Sequence, residues 1–596
     1  MSAVDFFGID ELFEGYRSGR FSPSEVIDLA FERAVRFDSH NIWITRLSRA
    51  DVDVYLKRLP ERDAHRSPLY GVPFVIKDNI DLAGVPTTAA CPEFSYVPAR
   101  SAPVVERLLA AGAIPLGKTN LDQFATGLVG TRSPYGVCRN SFDANYISGG
   151  SSSGSAVAVA GGIASFALGT DTAGSGRVPA AFNNLIGLKP SLGRLSSRGL
   201  VPACRSLDCI SIFALTAEDA ARVMGVAEGF DAEDPYSRPV NDRPVEDRRV
   251  GIPQAEQLEF YGDREYARLF GRATERLQAL GYSLVTIDFG PFLEAARLLY
   301  EGPWTAERYV AIESFLAAHP DAVHPVTRAI IEGGAKRSAI EAFKAQHRLQ
   351  SLRRCAERTL SQVDMILTPT TGTLYEASAV LADPLTLNSR LGYYTNCVNL
   401  LDLAAVAVPA GFRADGLPFG VTLMSRRDTD RGLLAHAAGL HRAWVETTGA
   451  LGWSLPPPSP LSAPESMALA VCGAHMEGLP LNHQLLERGG RRLRTLRTAP
   501  CYRLFALPGE SVQRPGLLRV LSGGAPIEIE VWSIHPEAFA SLMAIIPAPL
   551  SVGRVELEDG SEVVGFLCEP YALESARDIT DFGSWRSFLR HQPLKA

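Results

Sequence analysis

The stretch that most constrains this chain runs from Ser148 to Pro190, SGGSSSGSAVAVAGGIASFALGTDTAGSGRVPAAFNNLIGLKP. Small residues, hydroxyls and glycines are packed there at a density no ordinary core segment requires. Gly149-Gly150-Ser151-Ser152-Ser153-Gly154 reads as a loop whose glycines are free to adopt unusual backbone angles. A small-residue helix over 155–161, an apolar strand over 165–169, a tight turn over 170–176 and a short helix over 177–183 are expected to follow. Pro179 is tolerable in the first turn of that last helix. A serine on a glycine-flanked turn, just ahead of a helix N-terminus, holds its hydroxyl out among backbone N–H groups. That is what a nucleophile beside an oxyanion hole requires. A phosphate-cradling reading of 149–154 fails, because the GK[ST] ending is missing and no acidic partner stands at dinucleotide spacing.

Upstream, Ser22-Pro23-Ser24-Glu25 is a capping box that opens an amphipathic helix. Leu69 to Asn79 (LYGVPFVIKDN) is an apolar strand ending in Lys77, which in isolation reads as a snorkelling strand-end lysine. Helix and strand patterns over 104–112 and 114–118 complete a βαβ unit with it, hence a parallel sheet. Downstream, Tyr300 and Arg308 in YEGPWTAERY stand eight residues apart, about two turns of a helix, with Gly302-Pro303 placing a bend between them. Without context, Arg308 reads as a solvated surface arginine.

Together these segments resemble the amidase signature family. Its pattern GGSSGGxxxxxA…LGTDxGGSxRxPAxxxGxxGxKP is matched from Gly149 to Pro190, with Ser153 and Ala173 standing where glycines are usual. GVPxxxKDN around Lys77 is the family's other hallmark, and Asp122-Gln123-Phe124-Ala125-Thr126-Gly127 is similar to its DEFAMG segment, which lines the site. The resemblance implies a nucleophile at Ser175, a bridging Ser151 preceded by a cis peptide, and Lys77 as base. Lys77 must then be neutral, against an ordinary value of about 10.4, and burial among Val75, Ile76 and the small-residue helix pushes it down. The oxyanion hole falls to the backbone N–H groups of Thr172, Ala173 and Gly174 with Ser175, and alanine at 173 is compatible because the donor is backbone. LYEGPWxAERY is similar to one subgroup, the allophanate hydrolases, in which the tyrosine and arginine recognise a substrate carboxylate. Tyr300 and Arg308, with Gly127, are therefore the expected substrate-binding residues. An arginine fork suits a carboxylate better than a lysine does. A different amide, or an amidotransferase-type subunit, is the alternative.

The fold class implied is α/β, with a central mixed, mostly parallel sheet flanked by helices. Trp453 to Pro460, with Pro464, is the clearest boundary in the chain. It divides an amidase domain over 1–450 from a linker over 451–466 and a C-terminal α+β domain over 467–596. Gly478 to Gln484 in that last piece resembles the allophanate hydrolase C-terminal domain, a γ-glutamyl-cyclotransferase-like fold. His483 is its candidate catalytic residue, and a structural role in assembly is the alternative, since fold does not carry function. At 596 residues with a net charge of −7, the chain is large enough for these domains and has no basic surface for nucleic acid. Nine scattered cysteines form no CxxC pair, so no metal site or disulfide framework is expected, and no cofactor. With no signal peptide and no apolar run of membrane-spanning length, the expectations are a cytoplasmic enzyme away from membranes. A homodimer, linked functionally to a biotin-dependent urea carboxylase, completes what the resemblance implies.

Overall fold

The computed structural model describes residues 6–59, 67–245, 248–458, 467–488, 490–508, 512–534 and 536–591. The chain divides into two compact units, Met1–Arg238 with Asp242–Ser462, and Pro239–Asn241 with Ala463–Ala596. Among the described residues, no helix is long and apolar enough to cross a membrane.

The first unit is built on an eleven-stranded sheet. Its strands are β1 (Trp43–Arg46), β2 (Pro73–Lys77), β3 (Ile114–Thr119), β4 (Phe166–Asp171), β5 (Ile186–Lys189), β6 (Cys209–Ala214), β7 (Arg249–Pro253), β8 (Ser283–Ile287), β9 (Met365–Pro369), β10 (Leu403–Phe412) and β11 (Pro418–Arg426). Their order is β1-β3-β2-β4-β6-β5-β10-β11-β9-β7-β8. The sheet is mixed, but the expectation that it is mostly parallel does not hold. Parallel pairing is confined to β3-β2-β4 and β9-β7-β8, and the middle of the sheet is antiparallel throughout. The reason lies in the connections. The outer parallel strands are joined by helical crossovers, whereas β10 and β11 are joined by a short turn that only an antiparallel pair can use.

The small-residue helix spans Ser153–Ala160 and is buried along its whole length. Alanine, glycine and serine let it lie close against β2 and β4. A Cβ on Gly154 would come within 2.3 Å of the Ile42 carbonyl oxygen, so its first turn abuts backbone directly. The capping box at Ser22 and Glu25 forms, with Ser22 N–H donating to Glu25 Oε2 at 2.7 Å. Between β8 and β9 the chain makes an all-helical excursion. Helices Gly290–Glu301 and Trp304–Ala318 are separated by Gly302 and Pro303, where the sequence placed the bend.

The start of the expected linker belongs to structure. Trp453–Ser454 pairs with Thr447–Thr448, and Trp453 packs edge-on against Phe6 at 5.4 Å, with the Arg33 guanidinium 5.0 Å from its ring. A tryptophan carries too much apolar area to be left in a free spacer. Residues 459–466 of that linker, Pro460 and Pro464 included, lie outside the described residues.

The second unit holds a five-stranded sheet in the order Arg491–Arg497, Glu528–Ile534, Met467–Val471, Glu562–Cys568, Leu550–Glu556, and a three-stranded sheet centred on Tyr502–Leu507. Among the described residues, only the pairing of Met467–Val471 with Glu562–Cys568 is parallel. Helices are short, and Trp532, Trp585 and Tyr502 anchor the core. The arginine-rich strand Arg491–Arg497 escaped the sequence reading because an edge strand needs few apolar residues, and its charges guard an unpaired edge.

Candidate active site

Lys77 closes β2, whose five residues are all buried, and its side chain has no exposure to solvent. In-register pairing of Ile76 with Leu168 sets the end of β2 beside Thr170 on β4. The Lys77 Nζ donates to Ser151 Oγ at 2.7 Å and to Thr170 Oγ1 at 2.7 Å. Both acceptors are neutral hydroxyls, and no carboxylate lies within ion-pair distance among the described residues. Burial therefore pulls the ammonium down to about 7, with Asp122, Asp208 and Asp171 opposing from farther off and Arg308 adding a smaller push downward. This is the direction desolvation imposes on a lysine.

Ser151 is held by the turn before the small-residue helix. Gly149 takes a positive φ of 75°, and the Gly150–Ser151 peptide is cis. Gly150 is required by a close approach, since a Cβ there would stand 2.1 Å from Asp122 Oδ2. That same carboxylate accepts the N–H groups of Val129, Gly130 and Arg132 at 3.0–3.1 Å, and Asp122 N–H donates to the Ser151 carbonyl at 3.1 Å. Asp122 thus joins the serine loop to the segment that carries Gly127.

Beyond Thr170, Asp171 organises the turn that carries Ser175. Its carboxylate accepts Gly174 N–H at 2.8 Å and Gly176 N–H at 3.0 Å, and takes a two-pronged contact from Arg177 at 2.9 and 3.0 Å. Burial alone would raise this carboxyl, but the Arg177 guanidinium and the N–H donors hold it below the ordinary range. Ser175 is 3% exposed, and its hydroxyl makes no hydrogen bond among the described residues. The structure thus brings Lys77 and Ser151 into contact and sets Ser175 on the turn at the end of β4.

One member of the expected oxyanion hole is corrected. The Gly174 N–H is committed to Asp171 and cannot also face an oxyanion. The N–H groups of Thr172, Ala173 and Ser175 have no acceptor among the described residues, and they form the donor set that remains. Gly174 has a conformational role instead: its φ is +134°, and a Cβ would meet Thr395 Oγ1 at 2.4 Å. The Thr172 hydroxyl donates to Asp208, whose carboxylate also accepts Ala203 and Cys204 N–H at 2.8 and 3.0 Å. Burial pushes Asp208 up to about 6.

Arg308 is 1% exposed and is not a surface residue. Its Nη1 donates to Thr126 Oγ1 at 3.0 Å, its Nη2 to Tyr300 OH at 3.4 Å, and the guanidinium lies 5.3 Å from the Tyr300 ring centre. Its Nε is buried without a partner, and no carboxylate pairs with it among the described residues. A guanidinium cannot shed its proton, so a buried one without a counter-ion is chemically suited to receive an anion, although Arg132, also buried without a carboxylate, is bonded to the Thr126 and Pro384 carbonyls instead. Gly127 follows Thr126, and a Cβ there would stand 2.6 Å from Asp122 Oδ2. The sequence places Asp122 and Thr126 in a segment that lines the site, and Thr170 in the serine turn, without individual roles; it does not single out Asp208. The bonds from Arg308 to Thr126 and from Lys77 to Thr170 span 182 and 93 residues, so no local spacing announces them.

In the second unit the histidine singled out from the sequence is exposed, and a different one lines a small pocket. His483 is exposed on a short helix, with its Nδ1 donating to the Pro480 carbonyl at 2.9 Å. His475 is buried instead, stacked on Phe566 at 5.4 Å and bonded to Gln484 Oε1 at 2.9 Å. It lines a small pocket with Cys472, Arg514, Leu550 and Phe566, and the Arg514 Nε is buried without a partner. Burial holds the His475 imidazole below its ordinary value. Among the described residues, no cluster of three or more His, Cys, Asp or Glu could hold a metal ion.

Residues 34–434 match the Amidase family, and residues 467–590 match the family described as Allophanate hydrolase C-terminal domain. The chain is 46% identical over 570 residues to urea amidolyase of Saccharomyces cerevisiae, covering 92% of this chain and 31% of that protein. It thus spans about a third of the length of the urea amidolyases it matches. A glutamyl-tRNA(Gln) amidotransferase subunit of Synechococcus sp. (strain CC9311) is 35% identical, over 70% of this chain and 93% of that one. Among solved structures, Kluyveromyces lactis allophanate hydrolase is similar at 41% identity and a TM-score of 0.73, covering 98% of this chain and 99% of that chain.

Proposed function

The chain belongs to the amidase family and carries an allophanate hydrolase C-terminal domain, and on that footing we propose that it hydrolyses allophanate to ammonia and carbon dioxide. The observation that carries the substrate choice is Arg308, a buried guanidinium with no carboxylate partner, flanked by Tyr300 and in electrostatic reach of Lys77. Allophanate supplies both things this arrangement lacks, a carboxylate for Arg308 and a terminal carboxamide for the nucleophile. The amidotransferase subunits fit less well, because they cover only the amidase portion of the chain.

The reaction follows from the side chains. Lys77, neutral at its lowered value, accepts the Ser175 proton through Ser151. The Ser175 oxygen attacks the terminal carbonyl carbon, and the developing oxyanion is held by the N–H groups of Thr172, Ala173 and Ser175. Lys77 returns the proton through Ser151 to the leaving nitrogen, and ammonia departs. Water, deprotonated by the same relay, releases the acyl group as N-carboxycarbamate. That product loses carbon dioxide and falls apart to ammonia and a second carbon dioxide. The supply of allophanate requires a reaction that carboxylates urea, for which a biotin-dependent urea carboxylase is the expected partner. A cytoplasmic homodimer is the setting this reading assumes.

The C-terminal domain fits a second reading. His475 and Arg514 line a small pocket that as it stands is too small for N-carboxycarbamate, so a role in decarboxylating that product stands beside a structural one as a reading to test. His475 joins His483 as a residue to test.

One assay serves both readings: ammonia release from allophanate and from biuret, its neutral amide counterpart, by the parent chain and by Ser175→Ala, Arg308→Ala and His475→Ala. Ser175→Ala is expected to be inactive, and Arg308→Ala to lose allophanate far more than biuret. His475→Ala is expected to delay the second equivalent of ammonia relative to the first. A parent chain that ignores allophanate yet cleaves biuret would remove the substrate assignment and leave the catalytic one.

A further inference from the structure

Thr126 lies between two buried guanidinium groups. Its hydroxyl oxygen accepts from Arg308 Nη1 at 3.0 Å, and its carbonyl accepts from Arg132 Nη1 at 2.8 Å. The residue is 1% exposed, so water cannot substitute for either contact. A threonine hydroxyl has one proton to donate, and here it goes to the Phe124 carbonyl at 3.1 Å. The hydroxyl is therefore held with its lone pairs, not its proton, toward Arg308.

The surrounding fold sets this geometry from both sides. Phe124 and Ala125 take positive φ angles of 51° and 52°, turning the backbone sharply just before Thr126. Thr126 N–H closes that turn on the Gln123 carbonyl at 3.1 Å. The Phe124 ring meets Phe315 at 5.9 Å, and Phe315 is on the same helix as Arg308. Gln123 binds the connection that follows that helix, donating to the Ala322 carbonyl at 3.1 Å and accepting His324 N–H at 2.6 Å. The segment holding Thr126 is thus packed on the helix that carries Arg308 and bonded to the connection after it. The DEFAMG pattern has methionine at this place, whose thioether is a weak acceptor and cannot donate to Phe124.

We propose that Thr126 is the positioning residue for anion selectivity: its hydroxyl fixes one arm of the Arg308 guanidinium, leaving the rest of the fork set for a substrate carboxylate. The inference rests on Arg308 being the receptor for that carboxylate. Of the five N–H donors, those on Nη1 are directed by Thr126 and those on Nη2 by Tyr300, while Nε is uncommitted. A fork anchored at one arm loses less freedom when a carboxylate arrives, which is how pre-organisation raises affinity.

The test reads binding in the Ser175→Ala background, where turnover cannot intervene, by calorimetric titration of allophanate into the full chain. Loss of one hydrogen bond to a charged group predicts roughly tenfold weaker binding for Thr126→Val. Thr126→Ser, which keeps the hydroxyl, is expected within about twofold of the parent, since only a methyl group is lost. Thr126→Ala gives the same reading as the valine variant should that one fail to fold. The decisive comparison is the double variant: once Arg308→Ala is present, Thr126→Val should add less than about twofold, because a residue acting through Arg308 has nothing left to act on. Thr126→Val binding like the parent, or weakening binding equally with and without Arg308, would overturn the proposal. If Arg308→Ala itself leaves binding unchanged, the carboxylate reading falls and takes this proposal with it.

Discussion

Among the buried cations of the first unit, two pairs differ in what they face. Lys118 and Arg177 each face a carboxylate, Lys118 on Asp78 at 3.1 Å and Arg177 on Asp171 at 2.9 Å. Lys77 and Arg308 face hydroxyls and an aromatic ring. Burial lowers both lysines, but Asp78 opposes it at Lys118, whereas the hydroxyls around Lys77 supply no charge. The paired cations hold loops together. In the proposed reaction Lys77 takes a proton and Arg308 takes an anion, whereas Lys189 and Arg132, also buried without a carboxylate among the described residues, bond backbone carbonyls. Burial alone, common to all of them, does not separate function from scaffold; the partner distinguishes them.

The largest test of that division compares the two lysines. Lys77→Met should lower kcat by roughly 10²–10⁴-fold, the range for losing a general base, with the chain still folded by circular dichroism. Lys118→Met should act chiefly on stability, because it strands Asp78. An equal loss of turnover from both, with stability intact, would break the comparison.

The two arginines sharpen it. Asp171→Asn leaves Arg177 buried without its carboxylate, which should cost about 3–5 kcal/mol in urea unfolding. Arg308→Met removes a cation that has no such partner and should cost much less, or stabilise the chain. Reversal of that order would mean that Arg308 has an anionic partner in the folded chain.

The smallest effect is the dependence on pH. Lys77 must be neutral to act, and its value is near 7, so kcat/KM should fall about tenfold per unit as pH drops below that point. Its stability effect has a definite sign. Across the window from about 7 to about 10.4 the unfolded chain binds the Lys77 proton and the folded chain does not, so this group makes stability rise with pH there. Asp171 has its folded value depressed, so its contribution is present above the ordinary carboxylate range and is lost on acidification. A flat kcat/KM profile between pH 6 and 8 would remove Lys77 as the base.

Much of this was legible in the chain itself. The segment from Ser148 to Pro190 announces its turns and short helix because glycine, serine and alanine at that density permit close backbone packing and little else. The bend at Gly302-Pro303 is local chemistry, and so is the capping box at Ser22 and Glu25. Other features were misread where the deciding term was not local. The sheet is antiparallel in its middle, and the Gly174 N–H is consumed by Asp171.

The sequence by itself determined the family, the residue types offered for catalysis, and the backbone turns that glycine alone permits, all of which depend on neighbours close along the chain. Tertiary structure decided which buried cations lack a carboxylate, what they bond instead, and which N–H groups remain free among the described residues. It also decided that Thr126 meets Arg308 across 182 residues of chain. Desolvation and hydrogen-bond partnership act over a few ångströms in space, and only the folded chain sets those distances.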